Sequence, residues 1–287
     1  MSAIDTSASG FLKETTRYPT VIAGAILLGV ILLIAFLTPL LSNTDPSYID
    51  AARRAQPASA SHWFGTDMLG RDLYTRVLYG AQVSLIVGFA VAVLSTIGGL
   101  AIGLMSGFVK AIDAVVMRFM DGLMSIPAIL LAVALMSISK GSVTNVIIAI
   151  TIAEIPRTAR LVRGTVLSLR EQPYVEAAVA GGTRLPTIIF KHILPNTLAP
   201  LIVQATYVCA SAMISESILS FIGAGVPPVI PSWGNIMAEG RALWLVKPFI
   251  IFYPAVFLSI TVLAINLLGD GLRDMLDPRN AQRTTSR

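Results

Sequence analysis

The 287-residue sequence predicts an all-α, polytopic membrane protein with six transmembrane helices, and three observations carry that prediction. Hydrophobic residues make up 55% of the chain and charged residues only 13%, about half the share of about 25% found in soluble domains. With a mean hydropathy of +0.76, so much apolar surface cannot be hidden in one soluble core, and lipid must be the solvent. Six apolar windows approach the roughly 20 residues a helix needs to cross a bilayer. Basic residues also alternate between the connecting segments: of the 21 Lys and Arg, 14 fall on the side of the two termini and seven on the other. By the positive-inside rule, both termini are cytoplasmic. The net charge of +5 is then a consequence of topology and needs no nucleic-acid partner.

Residues 1–20, with Asp5, Lys13, Glu14 and Arg17, read as a cytoplasmic tail. Residues 21–41 are the first transmembrane helix, longer than a signal-peptide core and so expected to stay as a signal anchor. Residues 42–82 are extracytoplasmic, and Leu73, Tyr74, Val77 and Leu78 beside Arg76 have the spacing of an interfacial amphipathic helix. A five-helix core follows over 83–270. Its first helix, 83–108, repeats Gly99, Gly103 and Gly107 at every fourth residue, a small-residue face that lets two helix backbones approach closely.

The third and fourth windows are 122–139 and 143–162. In the fourth, Glu154, Arg157, Arg160 and Arg163 rise at three-residue steps, close enough for neighbours to pair; the cations read as a snorkelling stripe at the cytoplasmic boundary. The fifth and sixth windows are 198–219 and 249–269, and 271–287 is a second cytoplasmic tail. Between the last two windows, 221–246 is a Pro- and Gly-rich outer segment whose Trp233 and Trp244 suit a membrane boundary.

The cytoplasmic segment 164–197 is too long for a simple turn. Glu171-Gln-Pro-Tyr174 starts a helix, 175–180 is Ala-rich and helix-favouring, and Gly181-Gly182 ends it. Pro186 suits the first turn of a second helix and Pro195 the re-entry into the membrane. Two polar groups stand in apolar windows: Glu216, which at membrane depth must pair or face water, and, more weakly, Asn266. Glu216 reads either as a candidate for the translocation path or as one half of a structural pair with another subunit.

Several chemistries are excluded. The single Cys209 offers no disulfide or Cys-based metal site, and His62 and His192 form no ligand pair. Neither a catalytic nor a metal site is expected. No glycine-rich phosphate loop surrounds Lys13, Lys110, Lys140, Lys191 or Lys247, so the chain is not an ATPase and binds no cofactor. A secondary transporter stays as an alternative reading, although the paired midplane charges or inverted repeat it would need are not clearly present; an intramembrane hydrolase would need a nucleophile with its base, a metal motif or two aspartates, and none is convincing.

The loop from Glu171 through Glu176, Gly182 and Pro186 to Asn196 resembles the "EAA" loop of binding-protein-dependent ABC importer permeases. The resemblance extends over about 61–279. It is carried by Trp63-Phe-Gly-Thr-Asp-Met-Leu-Gly-Arg-Asp72, Gly80-Ala-Gln-Val-Ser-Leu85, Met117-Arg-Phe-Met-Asp121 with Pro127, and Ala159-Arg-Leu-Val-Arg163. Leu219-Ser-Phe-Ile-Gly223, Pro231-Ser-Trp-Gly234 and Asn266-Leu-Leu-Gly-Asp-Gly-Leu-Arg-Asp274 complete it. All look like the second permease of dipeptide, oligopeptide and nickel importers. Two departures stand out: Ala180 precedes the glycines where Leu is common, and Ala153-Glu154 lacks an aromatic, placing a carboxylate that could alter the pore.

The resemblance implies a type I ABC importer permease fold in a bacterial inner membrane. It also implies a homologous companion permease, two ATP-binding subunits that hold the ATP, and an extracytoplasmic solute-binding protein. Glu176, Ala177, Ala178, Gly182, Ile193, Leu194 and Pro195 are then expected to couple to the ATPase. The implied substrates are di- or oligopeptides, with nickel, glutathione or opine-like solutes as alternatives.

Overall fold

The computed structural model describes residues 18–138 and 141–276. Among the described residues all regular structure is helical, apart from one isolated bridge between Thr66 and Asp72. Most of the two expected tails lies outside the described residues.

The first helix, α1 (Pro19–Leu41), starts with proline in its first turn, where the missing N–H costs nothing. It lies along the last helix, α10 (Phe249–Leu276). Gly24 makes this approach possible, since a Cβ there would stand 2.6 Å from the backbone N of Leu268. Its other face leaves Ile26, Leu33 and Phe36 exposed, as suits a lipid-facing surface.

The second helix, α2, runs unbroken from Leu73 to Phe108. Its 36 residues span about 54 Å at 1.5 Å per residue, more than the roughly 30 Å hydrocarbon core. Asp72 caps it, accepting from the Thr75 backbone N at 2.8 Å. The expected separate interfacial helix is therefore the first turns of α2. Its Leu73, Arg76, Val77 and Leu78 are all buried, because α9 (Trp233–Gly240) packs there, with the Trp233 indole donating to the Val77 carbonyl at 3.0 Å.

The glycine face meets α5 (Val143–Arg170). A Cβ at Gly99, Gly103 or Gly107 would lie 2.5–2.6 Å from Thr158, Val162 or Val166, so the two backbones touch along three successive turns. Arg170 closes the seam, donating to the Gly107 carbonyl at 2.6 Å.

The window 122–139 does not form one straight span. Helix α3 (Lys110–Met124) and helix α4 (Ala128–Ile138) meet at 91° across Ser125, Ile126 and Pro127. Proline offers no N–H, and it disfavours helical geometry in the residue before it. Helix α3 is pinned to α5 at both ends, near the corner by Arg160 on Asp121 and in its first turn by a bidentate Arg163–Asp113 pair at 2.5 and 2.7 Å. Of the arginines read as a snorkelling stripe, Arg160 and Arg163 thus bind acids on the neighbouring helix, while Arg157 lies 3.6 Å from Glu154 on its own.

Four helical stretches are long and apolar enough to cross a membrane: α1, α2, Leu185–Phe221 and α10, with the bent α3–α4 pair as a fifth. The count of six is not confirmed. The remaining window is α5, which carries Glu154, Arg157 and Arg160 in its first two-thirds and buries one side against α2.

Candidate functional site

Two surfaces have the chemistry expected of a functional site. The first is the loop between α5 and α8 (Leu194–Phe221). Helix α6 (Pro173–Ala180) is only eight residues long, too short to be stable alone in water. Val175 holds it down, inserting into a small core of Val162, Val166, Ile188, Ile193 and Leu201. The outer side presents Glu176 and Ala177 with Tyr174 and Val179, while Ala178 is half-buried. The helix ends where the Gly181 N–H meets the Ala177 carbonyl and the Thr183 N–H meets Ala178, with Gly182 at φ +74° and open space around its Cβ position.

The chain then re-enters through helix α7 (Leu185–Ile188) and a wide π-helical turn, Ile189–Ile193, continuous with α8. Of the residues expected to couple, Glu176, Ala177, Gly182 and Pro195 are exposed and Leu194 is half-buried. Ile193 is fully buried; it belongs to the foundation of the loop and cannot make a direct contact.

The second surface is a cavity of about 360 Å³ lined by Glu154 and Arg157 of α5, Pro127 at the corner, Tyr207 and Ser211 of α8, and Asn266 of α10. Tyr207 and Asn266 also line an adjoining cavity of about 550 Å³, whose far end carries Asp270 and Arg273. Asn266 therefore lines both cavities. Glu216 does not. It is completely buried, accepting from Ser220 at 2.8 Å and from Ser84 of α2 at 3.4 Å. These partners come from this chain, and Glu216 lines neither cavity. Glu154 faces the cavity instead: its Oε1 accepts from Ser211 at 3.2 Å, and the Arg157 guanidinium lies 3.6 Å from its Oε2.

A third cluster escaped the sequence reading. Asp67 and Arg71 from the segment before α2, with Arg76 in the first turn of α2, meet Glu239 of α9: Arg71 bonds Asp67 at 2.6 Å and Glu239 at 2.5 Å, and Arg76 bonds Glu239 at 3.0 Å. Burial raises the Glu239 carboxyl above its ordinary range, with the two guanidinium groups pulling it back. The spacing of Asp67 and Arg71 hints at a local pair, but nothing in the sequence joins them to a residue 168 positions away.

Comparison with known proteins agrees with this architecture. Residues 99–282 match the family model of the binding-protein-dependent transport system inner membrane component. A probable peptide ABC transporter permease of Sinorhizobium fredii is 52% identical over 272 residues, covering 95% of this chain and 93% of that protein. A dipeptide transport system permease of Alkalihalophilus pseudofirmus is 40% identical, covering 93% and 88%. A glutathione transport system permease of Pectobacterium atrosepticum is 36% identical, covering 94% and 90%. A structure of the MetNI methionine ABC transporter in an inward-facing conformation shares the fold, with a TM-score of 0.57 at 22% identity over 70% of this chain and 96% of that one. This multi-pass helical chain belongs to the family of binding-protein-dependent transport system inner membrane components and is an ABC importer permease without an ATP site of its own.

Proposed function

We propose that the chain forms one half of the translocation path of an ATP-driven importer of di- or oligopeptides. Its partners in this reading are a homologous companion permease, two ATP-binding subunits and an extracytoplasmic binding protein, and α6 is the element that meets an ATPase. One observation carries the mechanism: α6 stands on Val162 and Val166 of α5 and Leu201 of α8, and the same two helices supply Glu154, Arg157, Tyr207 and Ser211 to the cavity. A push on α6 therefore reaches the cavity wall through packed, rigid helices, and alternating access requires the two states to differ at both ends. Peptide cargo is favoured over glutathione by the 52% identity to a relative named as a peptide permease, against 36% to a glutathione permease.

Gly182 is the cleanest probe of docking. A Cβ there meets nothing within 4 Å in this chain, and the left-handed backbone costs a non-glycine residue only about 1–2 kcal/mol. In the reconstituted importer, Gly182→Trp and Glu176→Lys are expected to leave the protein inserted while lowering uptake about tenfold or more, the size of a 1–3 kcal/mol coupling energy. Wild-type uptake and binding-protein-stimulated ATP hydrolysis in both variants would exclude α6 as the coupling element.

The same reading puts both termini and α6 in the cytoplasm. After replacement of Cys209, single cysteines at Ala58 and Val229, both exposed, should react with an impermeant thiol reagent in intact cells. A cysteine at the exposed Ala177 should be protected. Labelling at Ala177 without permeabilisation reverses the orientation.

A further inference from the structure

The cavity carries one charge of each sign, incompletely satisfied. Glu154 is only 2% exposed yet lines the cavity, about 17 Å along α5 at 1.5 Å per residue. Its Oε1 has Ser211, but its Oε2 has no hydrogen bond among the described residues. At 3.6 Å the Arg157 guanidinium is too distant to supply one. Arg157 is 46% exposed and stands 5.6 Å over the Tyr207 ring. A buried carboxylate oxygen without a donor is costly, and such groups persist where a ligand completes them. The rest of the wall is largely apolar, with Ala210, Ile214 and Ile218.

We propose that this cavity is a transit site for the charged termini of an unmodified peptide: Glu154 receives the α-ammonium and Arg157 the α-carboxylate. The proposal rests on the peptide-importing reading above. An ammonium offers three donors to the lone Oε2, and guanidinium matches carboxylate in a two-pronged pair. Both groups are common to every free peptide, while the apolar wall makes no demand on particular side chains. A bare divalent cation is poorly matched: no group of three or more His, Cys, Asp and Glu that could hold a metal occurs among the described residues. A ligand of excess negative charge would meet Glu154 unfavourably.

The test uses the complete reconstituted complex with three probes: dialanine, N-acetyl-dialanine and dialanine amide. Glu154→Gln keeps shape and removes the charge, and should lower the uptake ratio of dialanine to its N-acetyl form about tenfold, as expected when one charge-assisted contact is lost. Arg157→Gln, at a half-exposed position that tolerates substitution, should do the same to the ratio of dialanine to its amide. The affinities of the binding protein, a separate polypeptide, stay fixed in both comparisons, so any change in ratio arises in the permease. If Glu154→Gln fails to assemble, the Arg157→Gln ratio decides alone. Dialanine uptake with ratios untouched by the variants that assemble overturns the site. A wild-type complex that imports none of the three excludes dipeptide cargo and overturns the site with it.

Discussion

Gly103→Val should remove assembled permease from the membrane. A Cβ at this position would lie 2.6 Å from the Val162 Cβ and 2.7 Å from the Ala159 carbonyl oxygen. The carbonyl belongs to a helix backbone and cannot rotate away, so α2 and α5 must separate. Separation also opens the contacts of Gly99 with Thr158 and of Gly107 with Val166, because all three glycines share one face. Overpacking in a well-filled core usually costs about 1–3 kcal/mol, and the loss here should reach or exceed the top of that range because a whole helix seam is displaced. Close backbone approach is also the main source of helix association in lipid, where burial from water no longer drives it. Gly122→Ala is the control: nothing lies within 4 Å of that position, and alanine in a helix interior is favoured over glycine by about 1 kcal/mol. Membrane abundance and the unfolding midpoint of the purified complex in detergent report both effects. A Gly103→Val protein as stable as wild type would show that the seam is not a principal source of stability.

What the sequence reveals follows from how local each signal is. The glycine face of α2 is legible because its period is written in one helix and its partner needs only small gaps. The α6 helix and its glycine stop are legible for the same reason: Pro173, the Ala-rich run and Gly182 act on their own neighbours. Apolarity alone misjudges the corner at Pro127, since 122–139 reads as a uniform window while the backbone turns by 91° within it. Glu216 and Glu154 show the limit most plainly. Both are lone acids in apolar helices, and only tertiary packing decides that one is enclosed by Ser84 and Ser220 while the other opens onto a cavity. Ile193, which the resemblance offers as a coupling residue, lies in the π-helical turn with its side chain fully buried in the small core under the loop.

The buried ion cluster of Asp67, Arg71, Arg76 and Glu239 gives the other large effect. Arg76→Met is expected to destabilise the protein by about 3–5 kcal/mol, the usual consequence of removing one member of a buried ion pair. The reason is the charge left behind: Asp67 and Arg76 are both fully buried and Glu239 is mostly so, and without Arg76 two carboxylates share the single guanidinium of Arg71. Adding Glu239→Gln removes the surplus negative charge and should restore part of the loss, so the two substitutions together cost less than their sum. The pH dependence fixes the sign independently. Burial already raises the Glu239 carboxyl while Arg76 pulls it down, so Arg76→Met raises it further. An acid raised in the folded state binds its proton more tightly there than in the unfolded chain. The Arg76→Met protein should therefore gain stability relative to wild type as pH falls from neutral toward 4.5, the ordinary glutamate value, and the gain should vanish once Glu239→Gln is added. Denaturant unfolding of the detergent-solubilised complex across that range measures all four proteins. Strictly additive costs, or a gap between Arg76→Met and wild type that stays constant with pH, would mean that Arg76 contributes through its packed methylenes and not through its charge.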